Sequence, residues 1–222
     1  MDGNRRWAKK NGLPVAAGHK KGAETLIKIV EAVKDIGIPY VSVYAFSTEN
    51  WQRDKSEVDT LMGLLRHYLD TGFNKLQENN VKIRFIGERE MLAADIREKM
   101  ARIEADTEQN NAVTLCVALS YGGRQEIVSA VRKAAELAVQ GKLAISEITV
   151  ENFNNCLYTK DIPDPDLLIR TSGECRLSNF LLWQSAYTEL FFSDTLWPDF
   201  TKEELNTIVK EFNTRERRYG RS

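Results

Sequence analysis

The sequence predicts an α/β fold, a single domain over residues 1–222 with a central, mostly parallel sheet flanked by helices. Three observations predict it. Segments of strand character alternate along the chain with segments of helical periodicity, the order that β-α-β units impose. Several of the strands, above all "VTLCVAL" (113–119), are apolar at nearly every position, as strands covered on both faces are. Polar, arginine-bearing stretches at Ser47 to Arg53, Tyr121 to Arg124 and Thr171 to Asn179 follow strands, which is where ligands gather in an open parallel sheet.

Taken in order, Leu26, Ile29, Val30 and Val33 recur at helical spacing and predict an amphipathic helix over about 22–36. "YVSVYAF" (40–46), β-branched and aromatic, is a strand, and the polar loop "STENWQRDK" follows it. Ser56, three residues before Asp59, has the spacing of a capping box and opens a long helix to about Gln77. "VKIRFIG" (81–87) is the next strand, about 92–109 a helix, 113–119 the buried strand, and "SYGGR" the turn into a helix over 124–140. A proline-broken linker leads to the strand "DLLIR" (166–170), then "ELFFS" (189–193) and a last helix over about 201–215. The opening "MDGNRRW" carries no strand or helix signal of its own. "MDGN" would sit naturally at the end of a strand, so the expectation is a sequence truncated just after one.

Composition narrows the function. Lysine plus arginine number 31 and aspartate plus glutamate 32, so no bulk charge draws the chain to nucleic acid or an anionic membrane, and any anion site is local. Cys116, Cys156 and Cys175 are odd in number and lack CxxC spacing, which predicts free thiols in a reducing compartment. His19 and His67 are too few for a histidine-rich zinc site. No signal peptide opens the sequence, and no apolar run approaches the roughly 20 residues of a membrane helix. A cytoplasmic protein is expected, able to touch a membrane surface.

Three clusters carry the chemistry: "MDGNRRW", "FSTENWQR" (46–53) and "RTSGECRLSN" (170–179). Arginine offers a planar fork of donors and a permanent charge suited to phosphate oxygens. Glycine and serine let backbone N–H groups approach an anion closely. Asp2 and Glu189 are candidate carboxylates for Mg²⁺, which commonly bridges to substrate phosphates. Neither the P-loop pattern nor the dinucleotide fingerprint is present.

These motifs, with "GHKKGAE", "SYGGRQEI", "DLLIRTSGECRLSNFLLWQSAYTEL", "LWPDF" and "RERRYG", closely resemble the cis-prenyltransferases, and within that family the bacterial undecaprenyl diphosphate synthases. The likeness spans essentially the whole chain and lacks only the apolar strand that members carry before the first motif. It implies an undecaprenyl diphosphate synthase-like fold and the successive condensation of isopentenyl diphosphate onto an allylic diphosphate such as farnesyl diphosphate. By the family pattern Asp2 is the catalytic aspartate that positions Mg²⁺. Gly3, Asn4, Arg5 and Arg6 cradle the allylic diphosphate, helped by His19 and Arg53, with Trp7 and Glu49 counted among the substrate-binding residues. Arg170, Arg176 and Ser178 grip isopentenyl diphosphate, and Glu189 assists the metal. Ser47, Asn50 and Trp51 belong to a flexible catalytic loop; Trp51 could equally plug the core beneath it. Arg218 and Gly220 reach into a partner's site, which implies a homodimer.

The chemistry agrees with that pattern. Cleaving the allylic C–O bond builds negative charge on the leaving diphosphate, which arginines and Mg²⁺ stabilise. The base is open between the departing diphosphate and Asn50 working with Ser47. Each added unit brings five carbons, and a buried methylene contributes about 0.8 kcal/mol. An apolar tunnel is therefore expected, with Leu61, Leu64, Leu65, Leu69, Ile96 and Met100 as candidate walls, although residue by residue the reading as ordinary core positions is favoured. One position departs from the family: Val15 stands where an arginine is usual. Two rival readings stay open. "ALSYG" (118–122) approaches a serine-hydrolase elbow around Ser120, but both histidines precede it. The chain could also be the non-catalytic subunit of a heteromeric enzyme, against which Asp2 and the Arg218–Gly220 motif speak.

Overall fold

The computed structural model describes residues 1–215. Its opening segment is helical where a loop was expected: α1 spans Asn4–Lys10. Seven residues are too few to sustain a helix alone, so packing sustains it. Ala8 is fully buried, and the Asn11 amide closes the last turn by donating to the Trp7 carbonyl at 2.8 Å. The helix beneath, α2, runs Val15–Ile36 and starts well before the expected residue 22. Gly18 and Gly22 read in sequence as weak points of a helix. In the fold they are its contact line with α1: a Cβ at Gly18 would strike the Asn4 carbonyl, and one at Gly22 the Asn4 side chain.

β1 (Tyr40–Ser47) ends in a 3₁₀ turn, Thr48–Gln52. Helix α3 (Lys55–Thr71) begins behind Asp54, not at a Ser56 capping box. Ser56 already lies in the first turn, where its carbonyl accepts from the Thr60 hydroxyl at 2.8 Å. Nor does this helix reach Gln77. It ends at Gly72, whose N–H donates to the Tyr68 carbonyl at 2.8 Å, and α4 (Asn74–Glu78) is separate. Next come β2 (Val81–Ile86), α5 (Ala94–Asp106), β3 (Val113–Tyr121) and α6 (Gly123–Val139), close to their expected limits. A short helix that no sequence signal announced, α7 (Val150–Asn154), interrupts the linker. β4 (Leu167–Arg170), β5 (Glu189–Phe192) and α8 (Lys202–Thr214) complete the described chain.

Among the described residues, all strand pairings are parallel. They form a three-stranded piece, ordered β1-β3-β2, and a two-stranded piece, β4-β5. β3 is central, and its side chains divide by parity, as a pleated strand requires. Leu115, Val117 and Leu119 join the main core under α2, α3, α5 and α8, while Cys116 and Ala118 face a second core with Ile86 and Leu181. Burial pushes the Cys116 thiol up to about 12, an inert core thiol; all three cysteines are free. Parity breaks at Ser120, whose φ of 49° lies in the left-handed region and turns Tyr121 into the second core. Of the expected tunnel walls, Leu69, Ile96 and Met100 are packed core residues, and Leu61 and Leu65 lie against that core. Among the described residues, no helix is long and apolar enough to cross a membrane.

Candidate active site

The carboxyl ends of β1 and β4, together with α1, collect most of the expected site residues into two adjoining clusters. Arg5 and Arg6 are consecutive on a helix, so their side chains leave about 100° apart, and each enters a different cluster.

The first cluster holds Arg5, His19 and Arg53 around a carboxylate that sequence reasoning missed, Glu57. Glu57 accepts from Arg53 Nη1 at 2.9 Å and from Arg5 Nη1 at 3.3 Å. His19 stands beside them on α2. Burial lowers its pKa, and the Arg53 and Arg5 charges lower it further, against the opposing pull of Glu57. The ring is therefore neutral at pH 7, and its Nε2 is buried with no hydrogen-bond partner among the described residues. Val15 lies one turn before His19 on the same face of α2 and is 38 % exposed.

The second cluster is built on Arg170, the last residue of β4 and only 13 % exposed. Its Nη2 donates to Asp2 Oδ2 at 2.9 Å, and its Nη1 to Ser178 Oγ at 2.8 Å and to the Arg176 carbonyl. Asp2 is fixed from the other side too: its N–H donates to Thr171 Oγ1, which donates back to the Asp2 carbonyl, each at 3.1 Å. Burial pushes the Asp2 carboxyl up, but the Arg170 hydrogen bond and charge outweigh it and hold the group below its ordinary value. Arg6 donates to the Ser172 carbonyl at 3.0 Å and pairs with Glu174 at 3.0 Å. Glu174 also accepts from Arg176 at 2.5 Å, so it too bridges two arginines, one from each segment. The Ser172 hydroxyl is buried and has no hydrogen-bond partner among the described residues. Gly3 makes this approach possible: its φ is 102°, and a Cβ there would strike the Ser172 hydroxyl and Leu196.

Other expected site residues lie elsewhere. Asn4 packs on Gly22, with its Oδ1 buried and without a hydrogen-bond partner among the described residues. Trp7 points away from both clusters and donates from Nε1 to Asp199 at 2.6 Å. Asn50 caps its own turn, its Oδ1 accepting from the Ser47 N–H at 3.1 Å while Ser47 accepts in return. Trp51 donates to Ser120 Oγ at 2.9 Å and meets Phe46 edge-on, so here it plugs the base of the turn. Glu49 accepts from Asn179 Nδ2 at 2.8 Å. Glu189 begins β5, in register with Leu167, while Arg170 pairs with Phe192 at the far end. Three residues of strand, about 10 Å, separate Glu189 from the end that meets Asp2, and Glu189 pairs instead with Arg215 at 2.9 Å. One chain therefore does not bring Glu189 and Asp2 together. Arg218 and Gly220 lie outside the described residues. Ser120 is fully buried, its hydroxyl held by Trp51 and Met91 with no histidine among its partners, which disfavours a hydrolase.

Fold and site thus define an α/β protein with paired arginine clusters beyond the ends of its parallel strands. A family model described as "Putative undecaprenyl diphosphate synthase" matches residues 1–220. The isoprenyl transferases of Heliobacterium mobile and Aquifex pyrophilus are 50 % and 49 % identical, over 99 % and 100 % of this chain and 85 % and 93 % of theirs. Lavandulyl diphosphate synthase from Lavandula x intermedia, solved in complex with dimethylallyl diphosphate, superposes with a TM-score of 0.92 at 33 % identity, covering 99 % of this chain and 95 % of that one. A structure described as a probable undecaprenyl diphosphate synthase from Campylobacter jejuni gives 0.81 at 40 % identity, covering 91 % and 93 %. The chain belongs to the cis-prenyltransferase family, alongside the bacterial undecaprenyl diphosphate synthases, and is an enzyme of that family.

Proposed function

We propose that this enzyme condenses isopentenyl diphosphate units onto an allylic diphosphate such as farnesyl diphosphate and builds a long-chain polyprenyl diphosphate, undecaprenyl diphosphate as the carrier lipid of cell-wall synthesis. The observation that supports it is the division of Arg5 and Arg6 between two clusters that each hold a carboxylate between two arginines. Two adjoining seats for anionic groups, set by one short helix, suit two diphosphate head groups held side by side.

In this reading Arg5, Arg53 and neutral His19 receive the allylic diphosphate. Arg170, Arg176, Ser178 and Arg6 receive isopentenyl diphosphate. The diphosphate oxygens take the places that Glu57 and Glu174 occupy between the guanidinium groups. The allylic C–O bond breaks, and its electron pair leaves with the diphosphate, whose growing charge the arginines stabilise. The isopentenyl double bond attacks the freed carbon, a carbon–carbon bond forms, and a proton leaves the new unit. Asn50 Oδ1 is engaged by Ser47, which favours the departing diphosphate as the base. Holding both substrates in line supplies a large part of the rate.

Magnesium belongs to the same proposal. Among the described residues, no three histidine, cysteine or acidic side chains gather as a metal cage. The single, half-exposed Asp2 carboxylate fits instead a cation that takes its other ligands from substrate phosphates and water. Bound there, Mg²⁺ would neutralise charge on the leaving group. A homodimer completed by Arg218 and Gly220, a cytoplasmic location with contact to a membrane surface, and no nucleic-acid partner complete the reading.

The test is incubation of the purified protein with radiolabelled isopentenyl diphosphate, farnesyl diphosphate and Mg²⁺, with products sized by chromatography. Labelled lipid of long chain length is expected, and lost when Mg²⁺ is chelated. Absence of any labelled lipid would favour a non-catalytic subunit.

A further inference from the structure

Asn179 occupies a junction that neither head-group cluster includes. Its backbone is left-handed, with φ of 65°, as is that of Ser178 at 48°; asparagine tolerates this conformation better than most residues. Its carbonyl accepts from the Gly123 N–H at 2.7 Å and its Oδ1 from the Arg124 N–H at 2.9 Å, so it caps α6 twice. Its Nδ2 donates to Glu49 Oε1 at 2.8 Å and to Gln125 Oε1 at 3.2 Å. Three segments thus meet at one side chain: the 176–178 loop of the second cluster, the Thr48–Gln52 turn that leads to Arg53 in the first, and the start of α6. Gly122 is the floor of the junction, since a Cβ there would strike Gln125, Asn179 and Thr48 together.

We propose that Asn179 is a positioning residue that couples the two head-group pockets, with Glu49 acting through it rather than on substrate directly. The inference rests on the reading of the two clusters as diphosphate pockets. When a diphosphate draws in Arg176 and Ser178, the next residue in the chain carries the displacement to Glu49 and so to the turn that ends at Arg53. Coupling of this kind is reciprocal, each ligand changing the affinity of the other by the same factor.

A swap of hydrogen-bond polarity tests it. Asn179→Asp keeps the left-handed backbone and the acceptor for Arg124, loses the donor, and sets a second carboxylate against Glu49. Its KM for isopentenyl diphosphate is expected to rise about tenfold, within the usual range of site-to-site coupling. Adding Glu49→Gln lets the new amide donate to the carboxylate introduced at position 179 and restores the bond with unchanged net charge. The double variant is expected within about threefold of wild type, a non-additivity that marks direct coupling. A double variant no better than Asn179→Asp, or a single variant equal to wild type, would overturn the proposal. Should Asn179→Asp not fold, Glu49→Ala leaves both α6 caps intact and must still raise the KM for isopentenyl diphosphate, whose pocket it does not touch; an unchanged KM sinks the idea. Direct titration of isopentenyl diphosphate separates the two layers. A wild type with neither binding nor turnover defeats the functional reading, whereas binding that is equal in all variants defeats only the coupling.

Discussion

Replacing Arg170 with methionine keeps the length and apolar stem of the side chain and deletes only the guanidinium. Three acceptors lose their donor: the Asp2 carboxylate, the Ser178 hydroxyl and the Arg176 carbonyl. A hydrogen bond to a charged group is worth about 1.5–3 kcal/mol when its partner is left in place. Asp2 is 41 % exposed, so water takes up part of the loss and the lower half of that range applies. Ser178 is exposed and rehydrates. The expected total is about 2 kcal/mol, or a fall in Tm of roughly 4–8 °C for a chain of this size. Removing one preorganised donor from a site where charge develops costs about 10²–10³ in rate, so kcat/KM for isopentenyl diphosphate should drop by that order. The pH dependence has a definite sign. Asp2 is held below its unfolded value of 3.8, so the stability that the pair contributes is fully present above that value and is lost as acid carries the folded protein through the Asp2 pKa. Denaturant unfolding of both proteins from neutral pH downwards should show their difference shrinking below about pH 4. An Arg170→Met protein with unchanged Tm and KM, or a stability gap independent of pH, would refute the reasoning.

Asp2→Ala should abolish condensation while circular dichroism shows the fold retained and the Tm falls by no more than the few degrees expected for Arg170→Met, since both break the same pair; substantial residual turnover would remove Asp2 from the mechanism. Val15→Arg places a cation one turn before His19 on α2 and should lower the apparent Kd for the allylic diphosphate; equal or weaker binding would mean that position 15 does not face it. Gly3→Ala combines a left-handed φ with a collision against Ser172 and Leu196. The backbone strain alone costs about 1–2 kcal/mol, and a soluble variant of wild-type stability would show that Gly3 is not what lets α1 close on the 171–173 segment.

The sequence revealed most where one force dominated. β3 is apolar at consecutive positions, and its burial on two faces follows directly. Arg5, Arg6, Arg170 and Arg176 stood out because arginines clustered with glycine, serine and amide residues suit phosphate oxygens. Where two requirements compete, letters mislead. Gly18 and Gly22 argue against a helix by propensity, yet close packing of α1 needs them inside one. Glu57 and Glu174 carry the charge opposite to that expected in an anion pocket, so they drew no attention, although Glu57 lies four residues after Arg53 and that spacing was a readable signal. Glu189 matched a motif, but a motif does not reveal that it begins a strand whose other end approaches Asp2. Asn179 was counted in the 170–179 cluster but given no role of its own, because capping a distant helix leaves no mark on neighbouring letters.

The two glycine contacts that seat α1 on α2 have a consequence for how this enzyme can change. They fix the rotational setting of a helix whose first two arginines serve different pockets, so the gap between the two anion seats is ruled by a single peptide unit. Inserting or deleting one residue between Gly3 and Ala8 would swing both arginines off target at once. Length variation should therefore be far less tolerated here than side-chain variation. An inhibitor with two anionic ends would have to match that fixed gap with its own linker.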